Sequence, residues 1–308
     1  GRLELMSGIK ERRFWDKVIV PSEVATIAGE KAIARAGINK DNIGCLISAS
    51  VCRDFIEPST ASIIHRNLKI PSEAFVFDVS NACLGVLNGM MIIANMIDQN
   101  QILAGLVVAG ENGGPLLNNT IKTLLSRPDI TRSNIKSSFA SLTIGSAAVG
   151  VVLSHKKISR QGHRLMGGVS LAETQFNHLC RGNDDSGTSG NWSPLMETDS
   201  EALMQEGCRL AGKTWERTRE ELGWVNEDVS RVFCHQVGKG HRNLMYENVG
   251  LDLQKDFSTL EFLGNTGAAS LPTTLAMGIE KNILNPGDKA ALLGIGSGLN
   301  CMMMGVEW

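Results

Sequence analysis

The sequence predicts an α/β protein folded as two similar halves, and three of its features carry that prediction. At 308 residues the chain exceeds what one hydrophobic core usually serves, so two packed lobes of similar size are expected. Short apolar runs that read as buried strands alternate with longer stretches of helical apolar spacing, the pattern of mainly parallel sheets covered by helices. A unit of the first half returns in the second. Gly37-Ile38-Asn39-Lys40-Asp41-Asn42-Ile43 overlays Gly223-Trp224-Val225-Asn226-Glu227-Asp228-Val229 in turn residues and apolar positions, as an internal duplication would leave it.

Each element has a local reason. Pro21, Ser22 and Glu23 open a helix whose apolar spacing runs over residues 24–36 until Gly37 stops it, and residues 43–51 follow as a buried strand. In the second half, residues 198–222 read as a long amphipathic helix, Gly223 ends it, and residues 229–236 are the strand. A second echo places a helix over 82–97 before a strand at 102–109, and a helix over 268–283 before a strand at 290–295. The polar, basic stretch His155-Lys156-Lys157-Ile158-Ser159-Arg160-Gln161 separates the two patterns. It sets the halves at residues 1–160 and 161–308. Residues 183–194, rich in Gly and Ser, read as a surface loop.

Composition excludes several classes of function. A formal charge of -2 gives no electrostatic case for nucleic acid. The longest apolar runs are too short to cross a bilayer, so no transmembrane segment is expected. Seven cysteines without a CxxC pair would leave one over in any disulfide framework, which points to a reducing cytoplasm. No His/Cys/Asp spacing suggests a metal, and the glycine clusters lack a Walker lysine or a complete dinucleotide fingerprint. The opening at Gly1 reads like the middle of a domain, with a strand and a helix expected upstream.

The chemistry gathers at strand ends. Cys83, in Asp78-Val79-Ser80-Asn81-Ala82-Cys83-Leu84-Gly85, follows an apolar strand and opens a predicted helix. Unpaired backbone N–H groups and the helix dipole there favour a nucleophilic thiolate; the plainer reading is a small buried hydrophobe. His235 ends a strand at the sheet edge where α/β sites form, or is structural. Asn265 lies in the small-residue turn Gly264-Asn265-Thr266-Gly267, as a ligand donor or a helix cap. Gly294-Ile295-Gly296-Ser297-Gly298 could offer a backbone N–H to an oxyanion, or simply form a tight hairpin. Lys239, His241 and Arg242 form a basic loop suited to CoA or carrier phosphates, or an exposed basic turn. Met302, Met303 and Met304 read as core strand.

The order of Cys83, His235, Asn265 and a glycine-rich strand end resembles the thiolase superfamily. It is nearest the beta-ketoacyl-ACP synthase III group and, within that, the OleA family of head-to-head acyl-CoA condensing enzymes. The similarity runs from Gly8-Ile9-Lys10-Glu11-Arg12-Arg13 to Trp308. Its telling pieces are Cys52-Arg53-Asp54-Phe55-Ile56-Glu57-Pro58, Asn81-Ala82-Cys83-Leu84, Leu179-Cys180-Arg181-Gly182, His235-Gln236-Val237 and Gly294-Ile295-Gly296-Ser297-Gly298-Leu299-Asn300-Cys301.

The resemblance implies a five-layer α/β/α/β/α thiolase fold. It makes Cys83 the nucleophile, pairs His235 with Asn265 on the second thioester carbonyl, and gives the other oxyanion hole to the backbone N–H groups of Cys83 and Ser297. It also implies a homodimer in which Glu57 crosses to the other subunit's site and removes an alpha proton. Read without its flanking match, Glu57 is a solvated loop carboxylate. The implied reaction is a non-decarboxylative Claisen condensation of two long-chain acyl-CoAs, with release of a beta-keto acid toward hydrocarbon synthesis. Acyl-CoA is the substrate and no cofactor is needed; acyl carrier protein or downstream pathway enzymes are further expected partners. The alternatives are a decarboxylative synthase fed by malonyl-ACP, a cysteine-dependent thioester hydrolase, or an idle scaffold. Arg2 stands where the synthases carry an adenine-stacking tryptophan, so adenine stacking is not expected there.

Overall fold

In the first half, α1 (Arg2–Ser7) and α2 (Pro21–Ala36) lead into β1 (Ile43–Ser48). There follow α3 (Thr60–Leu68), β2 (Phe75–Asp78), α4 (Gly85–Asp98), β3 (Ala104–Glu111), α5 (Gly114–Ser126), α6 (Phe139–Leu142) and β4 (Ala147–Ser154). The second half runs through β5 (Arg164–Ala172), β6 (Cys180–Gly182), β7 (Met196–Thr198), α7 (Ser200–Leu222) and β8 (Val229–Cys234). It closes with α8 (Lys239–Val249), α9 (Leu260–Leu263), α10 (Ser270–Glu280), β9 (Lys289–Gly296) and β10 (Asn300–Glu307). The computed structural model describes residues 2–308 except 17, 130, 132–134 and 183–194. The expected loop at 183–194 and the Arg2 side chain lie outside the described residues.

The helices start and stop for the reasons their residues give. Pro21 sits in the first turn of α2, where its missing N–H costs nothing, and Gly37 ends that helix at φ 64°. Asp199 caps α7 by accepting from the Ala202 N–H at 3.1 Å. Gly223, also at φ 64°, ends it. The two similar turns therefore stop their helices in the same left-handed conformation.

Strand order is β2-β1-β3-β4 in the first sheet and β5-β10-β9-β8 in the second. The sheets are mixed rather than mainly parallel. β1 runs parallel to β2 and β3, and β8 parallel to β9, but β4, β10 and β5 each lie antiparallel to a neighbour. Parallel pairing needs a long crossover. β10 instead returns directly from β9 through a turn in which Gly298 and Leu299 take φ 83° and 50°.

Alternation along the strands builds the layers. Cys45, Ile47 and Val107 of the first sheet and Leu292, Met302 and Met304 of the second face one shared core, with Leu87 and Ile93 of α4 and Leu271 of α10 between them. Leu46, Leu106 and Val108 point the other way, against Ala25 of α2 and Ile64 of α3. Leu293 and Met303 turn outward onto Trp215 of α7 and Met245 of α8. The result is five layers: helices, sheet, central helices, sheet, helices. Met302, Met303 and Met304 are core, as their strand position predicts. Among the described residues no helix is long and apolar enough to cross a membrane.

Candidate active site

Cys83 lies in a turn between β2 and α4, two residues before the helix starts. Ala82 takes φ 46°, a conformation that a residue with a Cβ adopts only when its surroundings impose it. The turn is closed by Leu84 N–H on the Asn81 carbonyl at 3.0 Å and by Asn81 Nδ2 on Asn88 Oδ1 at 2.8 Å. Gly85 lets α4 approach the end of β1: a Cβ there would stand 2.3 Å from the Ala49 carbonyl oxygen. Burial, and then the nearby charge of Glu111, push the Cys83 thiol up to about 12. The helix-dipole argument for a thiolate is thus outweighed, and the resting group is the protonated thiol.

The glycine-rich strand end is both a hairpin and part of this site. A Cβ on Gly296 would lie 3.5 Å from the Cys83 backbone nitrogen, so the turn carrying Ser297 packs against the nucleophile's own N–H. Asn300 Nδ2 donates to the Ser297 carbonyl at 3.3 Å and fixes that turn.

His235 follows β8 and is 4% exposed. Its N–H donates to the Leu293 carbonyl at 2.9 Å, one strand away from the Gly294–Gly296 end of β9. Burial, with a smaller push from His241, lowers its pKa to about 3, which makes it a neutral imidazole at ordinary pH. Nδ1 has no hydrogen-bond partner among the described residues. Gln236 holds the next segment in place: Oε1 accepts from Thr259 N–H and Ser258 Oγ, both at 2.9 Å.

Asn265 is hung between two backbone bonds, its N–H on the Thr143 carbonyl at 3.0 Å and its carbonyl under the Gly145 N–H at 2.8 Å. The side chain is then oriented by Gly267 N–H, which donates to Oδ1 at 3.0 Å. That leaves Nδ2 as the group able to donate to a ligand.

Glu57 is exposed on the loop between β1 and α3, flanked by Phe55 and Ile56, which are 56% and 49% exposed. It makes no hydrogen bond or ion pair among the described residues. The loop's far end is tied to β2, because Asp78 accepts from the Thr60 and Ala61 N–H groups at 2.9 and 2.8 Å. The expected basic loop is instead the first turn of α8, where Lys239 is exposed and His241 is partly buried, its pKa lowered to about 4 by burial. Arg242 pairs instead with Asp256, a carboxylate that also accepts from the Tyr246 hydroxyl at 2.7 Å. That guanidinium is engaged in holding the fold, and Lys239 is the exposed cation of the three.

Sequence reasoning passed over Glu111. It closes β3, is 3% exposed, and accepts backbone N–H bonds from Val51, Cys52 and Ala268 at 2.8, 3.1 and 3.1 Å. A signal was present: a carboxylate ends an otherwise apolar strand, Leu106-Val107-Val108-Ala109-Gly110-Glu111. All seven cysteines are free thiols, and among the described residues no His/Cys/Asp/Glu group is placed to hold a metal.

Residues 220–308 match the 3-oxoacyl-(acyl-carrier-protein) synthase III C-terminal family. The acyl-CoA:acyl-CoA alkyltransferase of Shewanella oneidensis is 40% identical over 311 aligned positions, covering 100% of this chain and 88% of that protein. Its counterpart from Xanthomonas campestris pv. campestris is 39% identical, covering 98% and 87%. A Xanthomonas campestris OleA structure with bound lauric acid and lauroyl-CoA, a cysteine-to-serine variant, superposes with a TM-score of 0.92 at 38% identity, covering 99% of this chain and 88% of that one. Other structures of the same protein carry substitutions at a cysteine, a glutamate or a histidine.

Proposed function

The chain belongs to the thiolase superfamily, among the acyl-CoA:acyl-CoA alkyltransferases, and is a condensing acyltransferase; we propose that it joins two long-chain acyl-CoAs without decarboxylation. The observation that carries this reading is the placement of Glu57: a carboxylate without a partner among the described residues, beside exposed Phe55 and Ile56, on a loop tied at its far end to the edge strand β2. A decarboxylating synthase obtains its carbanion by losing carbon dioxide and needs no such base. Joining two unactivated acyl chains requires removal of an alpha proton. In the Xanthomonas variants, the substituted cysteine and glutamate stand as many positions apart as Cys83 and Glu57 do here.

The open edge supports a homodimer. Among the described residues β2 pairs only with β1, and Phe75 and Val76 on it are 57% and 38% exposed. An uncovered apolar edge strand is a template for pairing with another chain. A second copy seated there would bring its own Glu57 loop toward this subunit's site.

The mechanism has two stages. Cys83 loses its proton as it attacks the first thioester carbonyl, and the N–H groups of Cys83 and Ser297 stabilise the oxyanion. CoA leaves with a proton, and the acyl group stays on sulfur. The second acyl-CoA then places its carbonyl oxygen against Asn265 Nδ2 and the neutral His235 imidazole. Glu57 of the partner subunit takes the alpha proton, and the enolate carbon attacks the acyl thioester. The carbon–sulfur bond to Cys83 breaks, giving a beta-ketoacyl-CoA whose hydrolysis yields a beta-keto acid. Lys239, an exposed cation at the start of α8, is the group this reading assigns to a CoA phosphate.

The test is to supply one long-chain acyl-CoA without a malonyl donor, measuring CoA release and identifying products by mass spectrometry. A beta-keto acid, or the ketone it loses carbon dioxide to form, is expected. Free fatty acid alone would make the protein a hydrolase. Turnover only after addition of malonyl-ACP would make it a decarboxylative synthase.

A further inference from the structure

Glu111 is a buried carboxylate with no ion-pair partner among the described residues; three backbone N–H groups of functional loops donate to it, and the Cys52 side chain lies beside it. Oε1 accepts from Val51 N–H at 2.8 Å and Ala268 N–H at 3.1 Å, and Oε2 from Cys52 N–H at 3.1 Å. Val51 and Cys52 begin the loop that carries Glu57. Ala268 closes the turn that carries Asn265. Gly267 lies between them at φ 59°, and a Cβ there would stand 3.1 Å from Oε1, so the turn is pressed against the carboxylate. The loop's other anchors are Cys52 Sγ on the Asn112 backbone, Asp54 on Ser22, and Asp78 on Thr60 and Ala61; none of these contacts reaches the Asn265 turn.

We propose that Glu111 is a positioning residue that ties the Asn265 turn of one active site to the loop that delivers Glu57 to the other. The proposal rests on the reading of Glu57 as a base acting across the dimer. If it holds, each carboxylate serves two sites: its own through Asn265 and the partner's through Glu57. Both groups act on the second substrate, so through these loops Glu111 governs enolate formation, while its charge acts on the first acylation only by adding to the burial that raises the Cys83 thiol. The placement of reacting groups decides such rates steeply, because a displacement of about 1 Å can cost about 100-fold.

The experiment uses the dimer with differently tagged chains. In the uniform Glu111→Gln dimer, the single-turnover burst of CoA release should be no slower than the parent's, because the variant removes a charge that, after burial, raises the Cys83 thiol. Condensation kcat should fall about tenfold or more, with KM changed less than about threefold. A purely structural role would lower burst and condensation together. In a mixed dimer of one parent and one Glu111→Gln chain, both sites should suffer, leaving less than about one fifth of parent activity, whereas a residue serving only its own site leaves about half.

A control separates this from the reading of Glu57. A mixed dimer of Glu57→Ala and Cys83→Ala chains keeps one intact site if Glu57 acts across the interface, and none if it acts within its own chain. A dead control, or a protein that is monomeric, overturns the trans base and the proposal with it. With the control active, half activity in the parent and Glu111→Gln dimer overturns the proposal alone. Should Glu111→Gln fail to fold, Gly267→Ala, which presses a methyl onto the same carboxylate, takes its place in the mixed dimer: less than about one fifth of parent activity is again expected, and half again overturns the proposal.

Discussion

The Cys83 turn and the Glu57 loop make opposite use of the chain around them. Cys83 is boxed in by its own subunit: a strained Ala82, a clamp between Asn81 and Asn88, and the Gly296 turn against its N–H. Glu57 has apolar neighbours in solvent and no polar partner among the described residues. A group that must hold one covalent intermediate is built where every direction is controlled. A group that is to reach another subunit is left on the outside, where its surroundings await assembly.

The sharpest way to break that contrast is Cys83→Ala. It should remove both the CoA burst and condensation, lowering turnover by about 10⁴ or more, read by thiol release from acyl-CoA. Glu57→Ala should lose condensation by about 10³ while keeping the burst, which separates the two regions by reaction stage; normal condensation by that variant would sink its assignment as base. Asn265→Ala should cost about 100-fold in condensation through loss of the Nδ2 donor, again with acylation preserved, seen in the same two-stage assay.

A smaller effect concerns pH. Burial lowers His235 to about 3 and His241 to about 4, from the ordinary 6.5. The unfolded chain therefore binds more protons than the folded one at acid pH, so this contribution to stability is present above about 6.5 and is lost as pH falls toward the folded values. Thermal melting between pH 7 and about 4 should show Tm falling with acidification, and His235→Asn should flatten the slope. A melting temperature indifferent to pH over that range would contradict the neutral imidazole.

Much of the site was legible because its residues sit at punctuation marks. His235 and Asn265 stand where strand or turn gives way, and Gly37 and Gly223 stop two helices alike. Arg242 was not legible in the same way. Its basic neighbours suggest phosphate, but Asp256, fourteen positions on, takes up the guanidinium. Glu111 stood in plain sight at the end of an apolar strand, yet its three donors come from segments about 60 and 157 positions away.

By itself the sequence determined the alternation of strands and helices, the periodicity that sorts each strand's side chains between layers, and the turns that carry Cys83, His235 and Asn265. These follow from local periodicity and turn chemistry, which a chain carries wherever it goes. Only the tertiary structure decided that the sheets are mixed, that Cys83 rests as a thiol, and that Glu111 joins two functional loops. Those outcomes depend on burial and on which distant segments meet, and neither exists until the five layers have closed.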